Sequence, residues 1–461
     1  MYLRERRSTK MVTIKSSYTV FPEEPTPQGR LWLSDKDQVA TQHHTPTIYI
    51  YKPKQDQENI IETLKKSLSK ILVHYYPIAG RLCYTEEGGR IEVNLNAKGA
   101  ILLEAETTKT IHDYGDFSPS DSTKELVPII NYNQPFQEMP LLLVQLTSFK
   151  NNQGFAIGVS LSHSLTDGIG AGGFITSWAK IARGESLEPN ELPFLDRTII
   201  KFSHTPLKVP CFEHMELKPL PLILGRKDTS EERKKKTTAT LLKLSHDHVE
   251  KLKKKANDYL SMMRKGSRPF SKFEAIGAHI WRCASKARDL DDNQESVVRF
   301  HADIRKRMIP PLPQNFFANA LALTATKVYI GEITSKPLGY TAEKIREATE
   351  LVNDEFIKSQ IDVIRSFENM DDARGLFFGD ETENAPYFGN PNFQLTSWMG
   401  MPFFEADFGW GKPIYFGFAC VSPHDRAFMY LSPDGDGSVI VCLHFQIAHL
   451  ELFNKLFYED I

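Results

Sequence analysis

Acid–base chemistry in this chain centres on Ser162-His163-Ser164-Leu165-Thr166-Asp167-Gly168, a histidine four residues before an aspartate. A neutral imidazole, with a pKa near neutrality, can take a proton from a hydroxyl or an amine. Spacing alone is weak, because His112-Asp113-Tyr114-Gly115-Asp116 repeats it among polar, turn-like residues. On that ground His163 could equally be an ordinary hydrogen-bonded histidine.

The surrounding elements sharpen the reading. Phe155 to Leu161 is apolar and alternating, and Leu141 to Phe149 precedes it across an Asn151-Asn152-Gln153-Gly154 turn, which predicts a hairpin. After Asp167, Ile169, Phe174, Ile175, Trp178 and Ile181 recur at helical spacing until Arg183-Gly184. His163 therefore sits where a strand gives way to a helix and can face a cleft.

At 461 residues the chain exceeds one hydrophobic core, so two domains are expected. We place them at 1–190, which carries His163, and 226–461, joined by a proline-rich crossover at 191–225. Strands are predicted at Tyr18–Phe21, Thr47–Tyr51, Thr237–Leu244, Val297–Asp303, Ala320–Tyr329, Asn392–Trp398, Pro413–Cys420 and Ser438–Leu443. Helices are predicted at Glu58–His74, after Ser245, from Ser271 to Lys286, at Glu343–Ile364 and at Gln446–Phe457. Their interleaving gives mixed α/β layers without internal repeats.

A formal charge of -2 with 25% charged residues gives no global pull toward nucleic acid or membrane. The charged stretch Arg226–Lys236 reads as a solvated loop or a phosphate contact. Five dispersed cysteines without a Cys-x-x-Cys pair fit a reduced, cytoplasmic setting, and the histidines show no metal-ligand spacing. No apolar run is long enough to span a bilayer, and the basic first ten residues lack the apolar core of a secretory signal.

A second motif lies downstream, Asp407-Phe408-Gly409-Trp410-Gly411-Lys412-Pro413. A kinase reading of Asp-Phe-Gly fails, since no glycine-rich loop, strand lysine or His-Arg-Asp loop accompanies it. Taken with His163-Ser164-Leu165-Thr166-Asp167-Gly168, it makes the chain resemble the BAHD family of plant acyl-CoA-dependent acyltransferases. The resemblance runs almost end to end, through Leu33-Ser34 and Asp37, Tyr76-Pro77-Ile78-Ala79-Gly80-Arg81-Leu82 and Asp303-Ile304-Arg305-Lys306-Arg307. Ala318, in Phe316-Phe317-Ala318-Asn319, departs from the glycine usual in relatives.

The resemblance implies two chloramphenicol-acetyltransferase-like domains, an active-site channel at their interface, a monomer, and acyl-CoA as cosubstrate without a cofactor. It implies that His163 is the general base, that Asp167 pairs structurally with Arg305, and that Asp407, Gly409, Trp410 and Gly411 build the channel wall. Ser271 and Lys272 match positions that contact CoA, at a helix N-terminus suited to phosphate. Thr45, Thr47, Tyr49, Thr396 and Trp398 match acceptor-side positions.

Within the family the chain is most like spermidine hydroxycinnamoyl transferases, with shikimate and quinate hydroxycinnamoyl transferases next. In the latter an arginine holds the acceptor's carboxylate, and Glu383, with Asp380 nearby, stands about where it belongs. Acids there would repel an acidic acceptor and attract a polycation. The expected reaction is hydroxycinnamoyl transfer to spermidine or a related polyamine, with activity rising into the alkaline range as the amine deprotonates. The alternative is transfer to a hydroxyl of shikimate, quinate or another alcohol; a CoA-ester-binding protein or a thioesterase is a further possibility.

Overall fold

The computed structural model describes residues 11–461 apart from 53–58, 86–88, 203–209, 264–266, 379–386 and 423. In the first half lie strands β1 (Val12–Val20), β2 (Gly29–Trp32), β3 (His44–Tyr51), β4 (Arg81–Tyr84), β5 (Ile91–Leu95), β6 (Ala100–Thr107), β7 (Leu142–Ser148) and β8 (Phe155–Ser162). In the second lie β9 (Thr237–Leu244), β10 (Glu295–Asp303), β11 (Leu321–Tyr329), β12 (Phe393–Ser397), β13 (Tyr415–Phe418), β14 (Arg426–Leu431) and β15 (Val439–Gln446). They form two six-stranded mixed sheets, β1-β6-β7-β8-β3-β13 and β11-β10-β12-β14-β15-β9, and a small sheet β2-β5-β4.

Each large sheet buries one face under helices, because its strands alternate apolar residues at period two and the helices carry them along one stripe. On the first sheet, Tyr51, Ile157, Val159 and Leu161 meet Leu64, Leu68 and Leu72 of helix Ile60–His74 and Phe174 and Trp178 of helix Gly168–Ala182. On the second, Val298, Leu395, Ala427 and Leu443 meet Ile276, Ile280 and Trp281 of helix Lys272–Arg288 and Ile345 of helix Leu338–Leu351. The hairpin β7–β8 delivers His163 immediately beyond its last residue, with Leu143 opposite Ser160 and Ser148 opposite Phe155.

The domain expectation needs one correction. β13 pairs antiparallel with β3, Phe416 opposite Tyr49, and Phe403, Ala406 and Phe408 join the first core. Residues 226–461 are thus not one C-terminal unit, since the stretch around Phe403–Phe418 returns to the first sheet and finishes its edge. Its apolar side chains have partners there: Phe416 is 0% exposed, and its ring lies 4.9 Å from Tyr49 and 4.4 Å from Phe403. The crossover at 191–225 is likewise more than a tether, since Phe194 bridges to Phe316 and Arg197 is buried.

Three elements differ from expectation. The first strand spans Val12–Val20, beginning earlier than expected, because Val12 and Ile14 continue the alternation of Tyr18 and Val20 across a register shift between Ile14 and Ser16. The helix predicted across Glu343–Ile364 is two, Leu338–Leu351 and Asp354–Arg365, because Asn353 takes extended backbone and its side chain accepts from Phe356 N at 2.9 Å. β14 was not anticipated: Arg426 heads the strand and masks the short apolar run behind it.

Truncating the residue that ties β13 to the first core should be expensive. Phe416→Ala is expected to lose about 3–5 kcal/mol of stability, read from chemical unfolding midpoints.

Candidate active site

His163 follows the end of β8, and its backbone N–H donates to His43 O at 3.1 Å, so the ring projects where the first sheet ends. Its Nδ1 lies 3.1 Å from Oδ1 of Asn319, a residue of the other half of the chain. The amide's orientation follows from its remaining bonds. Asn319 Nδ2 donates to His163 O at 2.9 Å and to Asp37 Oδ1 at 3.0 Å, and both of those atoms can only accept. Oδ1 is therefore the atom facing the ring, Nδ1 must carry the hydrogen, and Nε2 carries the lone pair. Burial lowers the His163 pKa below its ordinary value, against the opposing carboxylates of Asp167 and Asp37, so the ring is neutral at pH 7.

Asp37 anchors this arrangement. Its Oδ1 also accepts from Asn319 N at 2.8 Å, and its Oδ2 from Ser34 Oγ at 2.7 Å and Arg197 Nε at 3.1 Å. Arg197 Nη2 then donates to Leu165 O and Phe317 O, both at 2.9 Å, stitching the loop after His163 to the loop before Asn319.

Asp167 points away from His163. It accepts from Arg305 through both oxygens, at 2.9 and 3.1 Å, and both side chains are fully buried. It also accepts from Gly170 N at 3.0 Å, capping helix Gly168–Ala182, and from Ala320 N at 2.9 Å. Arg305 Nη2 reaches Phe316 O at 2.8 Å. The same aspartate therefore ends one loop and pins another, which is a positioning task.

A model of the Transferase family matches residues 10–460. The chain is 43% identical to the hydroxycinnamoyl-CoA:piscidic acid hydroxycinnamoyltransferase of Actaea racemosa, over 98% of this chain and 100% of that protein. It is 34% identical to the shikimate O-hydroxycinnamoyltransferase of Nicotiana tabacum, over 97% and 99%. The chain belongs to the Transferase family. Its motifs place it among the BAHD members, and solved structures share the two-domain fold: vinorine synthase (TM-score 0.70, 22% identity, 96% of each chain) and Fusarium graminearum TRI101 complexed with coenzyme A and T-2 mycotoxin (TM-score 0.73, 17% identity, 92% of this chain and 96% of that one).

Against that family frame, the remaining expected site residues divide. Thr45 and Thr47 lie on β3 opposite Leu161 and Val159, on the face that leads to His163. Tyr49 shares the face but is 1% exposed and packs on Phe416, so it closes the sheet junction instead of presenting a hydroxyl to an acceptor. Thr396 is half-buried on β12. Trp398 stands beside the start of helix Gly168–Ala182, where a Cβ on Gly168 would come within 3.2 Å of its Nε1 and 2.8 Å of Met401 Sδ, so a larger residue there would displace the Met401 side chain. Asp380 and Glu383 lie outside the described residues.

The Asp407–Gly411 motif is not near His163. Asp407 Oδ1 accepts from Gly409 N at 2.8 Å and Gly411 N at 2.9 Å, and both glycines take positive φ. Trp410 packs edge-on against Phe155 and Tyr51 and stacks on Phe408. Phe155 opens β8 while His163 follows its end, so the motif clamps the far end of the strand, about 25 Å away at ~3.3 Å per residue. The channel-wall expectation is replaced by that clamp. Ser271 spends its oxygen as the N-cap of helix Lys272–Arg288, accepting from Glu274 N at 3.2 Å, while Lys272 Nζ hangs over the loop before β15, 3.4 Å from Gly437 O. His112 is exposed and its Asp113 accepts from Thr110, which settles that decoy as a turn.

Sequence reasoning missed Asn319, Arg197 and a basic row on the second sheet. Asn319 was visible as a lone amide after an apolar run, yet its partner lies 156 residues away. The row consists of Arg299 and His301 on β10 and Arg426 on β14. His301 lines a narrow cavity with Lys36, Asn319, Leu323 and Phe377, so basic groups border the space beside the His163–Asn319 bond.

Two outcomes test the site. Asp167→Ala breaks the bidentate pair of the buried Arg305 and leaves it only Asp303 Oδ1, at 2.9 Å, as an ionic partner, and is expected to lose about 3 kcal/mol of stability in urea unfolding. Asn319→Asp sets a carboxylate against the ring, which favours imidazolium, so the acid limb of the kcat/KM profile should move to higher pH.

Proposed function

We propose that the protein transfers a hydroxycinnamoyl group from its CoA thioester to a hydroxyl of a small acceptor, with His163 as general base. The observation that carries this reading is the Asn319 amide, whose fixed orientation leaves Nε2 of a neutral imidazole as the proton-accepting atom. The acceptor's O–H proton passes to Nε2 as its oxygen attacks the thioester carbonyl. The tetrahedral intermediate then collapses, the C–S bond breaks, and the departing CoA sulfur recovers the proton from the imidazolium. Acyl-CoA is a cosubstrate, and no step calls for a cofactor. In this reading Lys272, whose Nζ lies 3.4 Å from Gly437 O, contacts a phosphate of the coenzyme, as the family resemblance implies.

Names of relatives support the acyl group and rank the acceptors. Piscidic acid and shikimate stand in the names of two, and two Avena sativa relatives, 32% and 31% identical, are named N-hydroxycinnamoyltransferases for 5-hydroxyanthranilate. Those named acceptors are acids, whereas spermidine is in none of these names. The hydroxyl acceptor therefore takes precedence over the polyamine amine.

Acidity of the acceptor separates the two readings. A hydroxyl acceptor needs only the neutral imidazole, so kcat/KM should rise through the lowered pKa of His163, below about 6.5, and stay level to pH 9. An amine acceptor would keep climbing as its ammonium deprotonates, which would reverse the ranking. His163→Ala should cut kcat by about 10²–10⁴-fold in assays with p-coumaroyl-CoA; transfer at the wild-type rate would overturn the assignment of the base.

A further inference from the structure

Most buried arginines of this chain end on acceptors of its own. Arg197, Arg288, Arg305 and Arg346 pair with Asp37, Asp425, Asp167 and Glu274. Arg81 and Arg282 each reach several main-chain carbonyls. Arg299 and Arg426 differ. Among the described residues neither makes an ion pair, no hydrogen bond satisfies Arg426, and Arg299 has a single one, from Nη2 to Leu376 O at 2.9 Å. Nε of each is buried without a partner. The field of Glu216 reaches Arg299, but that carboxylate already accepts from Gln360 Nε2 at 2.6 Å and faces His214 Nδ1 at 2.8 Å. A buried guanidinium without a counter-charge is unfavourable, which bears on Arg299, 4.4 Å over the Phe388 ring, more than on Arg426, which is half-buried and keeps part of its surface in water.

Sheet register puts the two side by side. Arg299 of β10 aligns with Gln394 of β12, and Gln394 aligns with Arg426 of β14, so the three form one row across adjacent strands on one face. The outer Cα atoms are then about 10 Å apart, two interstrand spacings, within easy convergence for arginine side chains. Between them, Oε1 of Gln394 is buried without a hydrogen-bond partner. Two residues along the same strands stand His301 and Thr396, the latter matching an acceptor-side position. Arg299 and Gln394 line one cavity, His301 and Asn319 another, and Phe377 lines both. Phe377 thus stands between the cavity of Arg299 and Gln394 and that of His301 and Asn319. Burial above all, with Arg299, His163, Lys36 and Arg426 adding to it, pushes the His301 pKa down to about 3, so this ring is neutral.

We propose that Arg299, Gln394 and Arg426 form an anion subsite for the acceptor, and that the acceptor is a small hydroxylated dicarboxylate. One carboxylate sits at each guanidinium, a ligand N–H or O–H donates to Gln394 Oε1, and the reacting hydroxyl is carried past His301 toward His163. This specifies the substrate of the acyl-transfer reading above and rests on it. It also opposes the polycation expected from Glu383, because two neighbouring cations, one buried and one half-buried, repel a polyamine.

The test separates binding from chemistry. In His163→Ala protein saturated with free CoA, calorimetry should detect binding of malate and tartrate, and none of dimethyl malate or spermidine. Arg299→Gln and Arg426→Gln should each weaken malate by about tenfold or more, and Arg426→Lys should retain more affinity than Arg426→Gln. Removing a half-buried charge that has no carboxylate partner among the described residues should leave the melting temperature of Arg426→Gln level or raised, whereas a structural role would lower it. Equal malate affinity in all variants, or tighter binding of spermidine than of malate, overturns the subsite. If the glutamine variants fail to fold, the comparison of malate with its dimethyl ester decides alone. Wild-type assays with p-coumaroyl-CoA keep the two readings apart. Arginine-dependent malate binding without transfer to any acceptor overturns the acyl-transfer reading alone; transfer only to acceptors lacking carboxylates overturns the subsite alone.

Discussion

The loop Phe316–Ala320 is the piece on which the rest depends, and a buried Asp167–Arg305 pair holds it. His163 stands at the end of a strand in the first sheet, and the side chain that meets its Nδ1 is Asn319. The orienting amide comes from the other half of the chain. That is a demanding requirement, since a hydrogen bond that selects a tautomer tolerates little displacement. The fold meets it by fastening the loop twice, through Asp167 to Arg305 and Ala320 N, and through Asp37 to Arg197 and Asn319. Two ion pairs with no exposure are an inefficient way to gain stability, because their desolvation offsets most of their attraction. They are a good way to fix a register, because neither carboxylate has a second place to go.

The returning strand β13 serves the same end from another direction. It completes the first sheet beside β3 and carries Phe416 into the contact with Tyr49, so the second half of the chain is bound to the first through main-chain hydrogen bonds as well as through loops. The Asp407–Gly411 turn, at the opposite end of β8 from His163, then acts on the strand and not on the chemistry. Damage there reaches the active site by loosening the element that presents the histidine.

How much of this was legible in the sequence depended on range. Hairpin β7–β8, the helix after Asp167 and the helix capped by Ser271 were read correctly, because their signals are local: alternation, a glycine turn, a side chain three residues from the amide it caps. The split at Asn353 was lost because the apolar period continues across it. What could not be read from spacing were partners brought together by topology. Asn319 meets His163 and Asp37, and Arg197 meets Asp37, only once both sheets have formed. Resemblance supplied Asp167 and Arg305 but gave the Asp407 motif a wall to build, when its aromatic neighbours show that it clamps.

The acceptor's charge is where local and long-range reading diverged most. Acids around Asp380–Glu383 suggest a cationic guest when taken by themselves, since a sequence displays charges without their partners. In the fold, the informative quantity is which charges remain unanswered. Arg305 and Arg197 are as buried as Arg299, yet each has its carboxylate, so they say nothing about a ligand. Arg299 and Arg426 sit on strands two apart, on either side of Gln394 with its unpartnered Oε1, and β14, which carries one of them, was the strand that sequence patterning failed to reveal. Among the described residues, the chain gives most of its buried arginines acceptors and leaves Arg299 and the half-buried Arg426 without a carboxylate, at a loss of stability. Such a loss persists where a bound anion repays it.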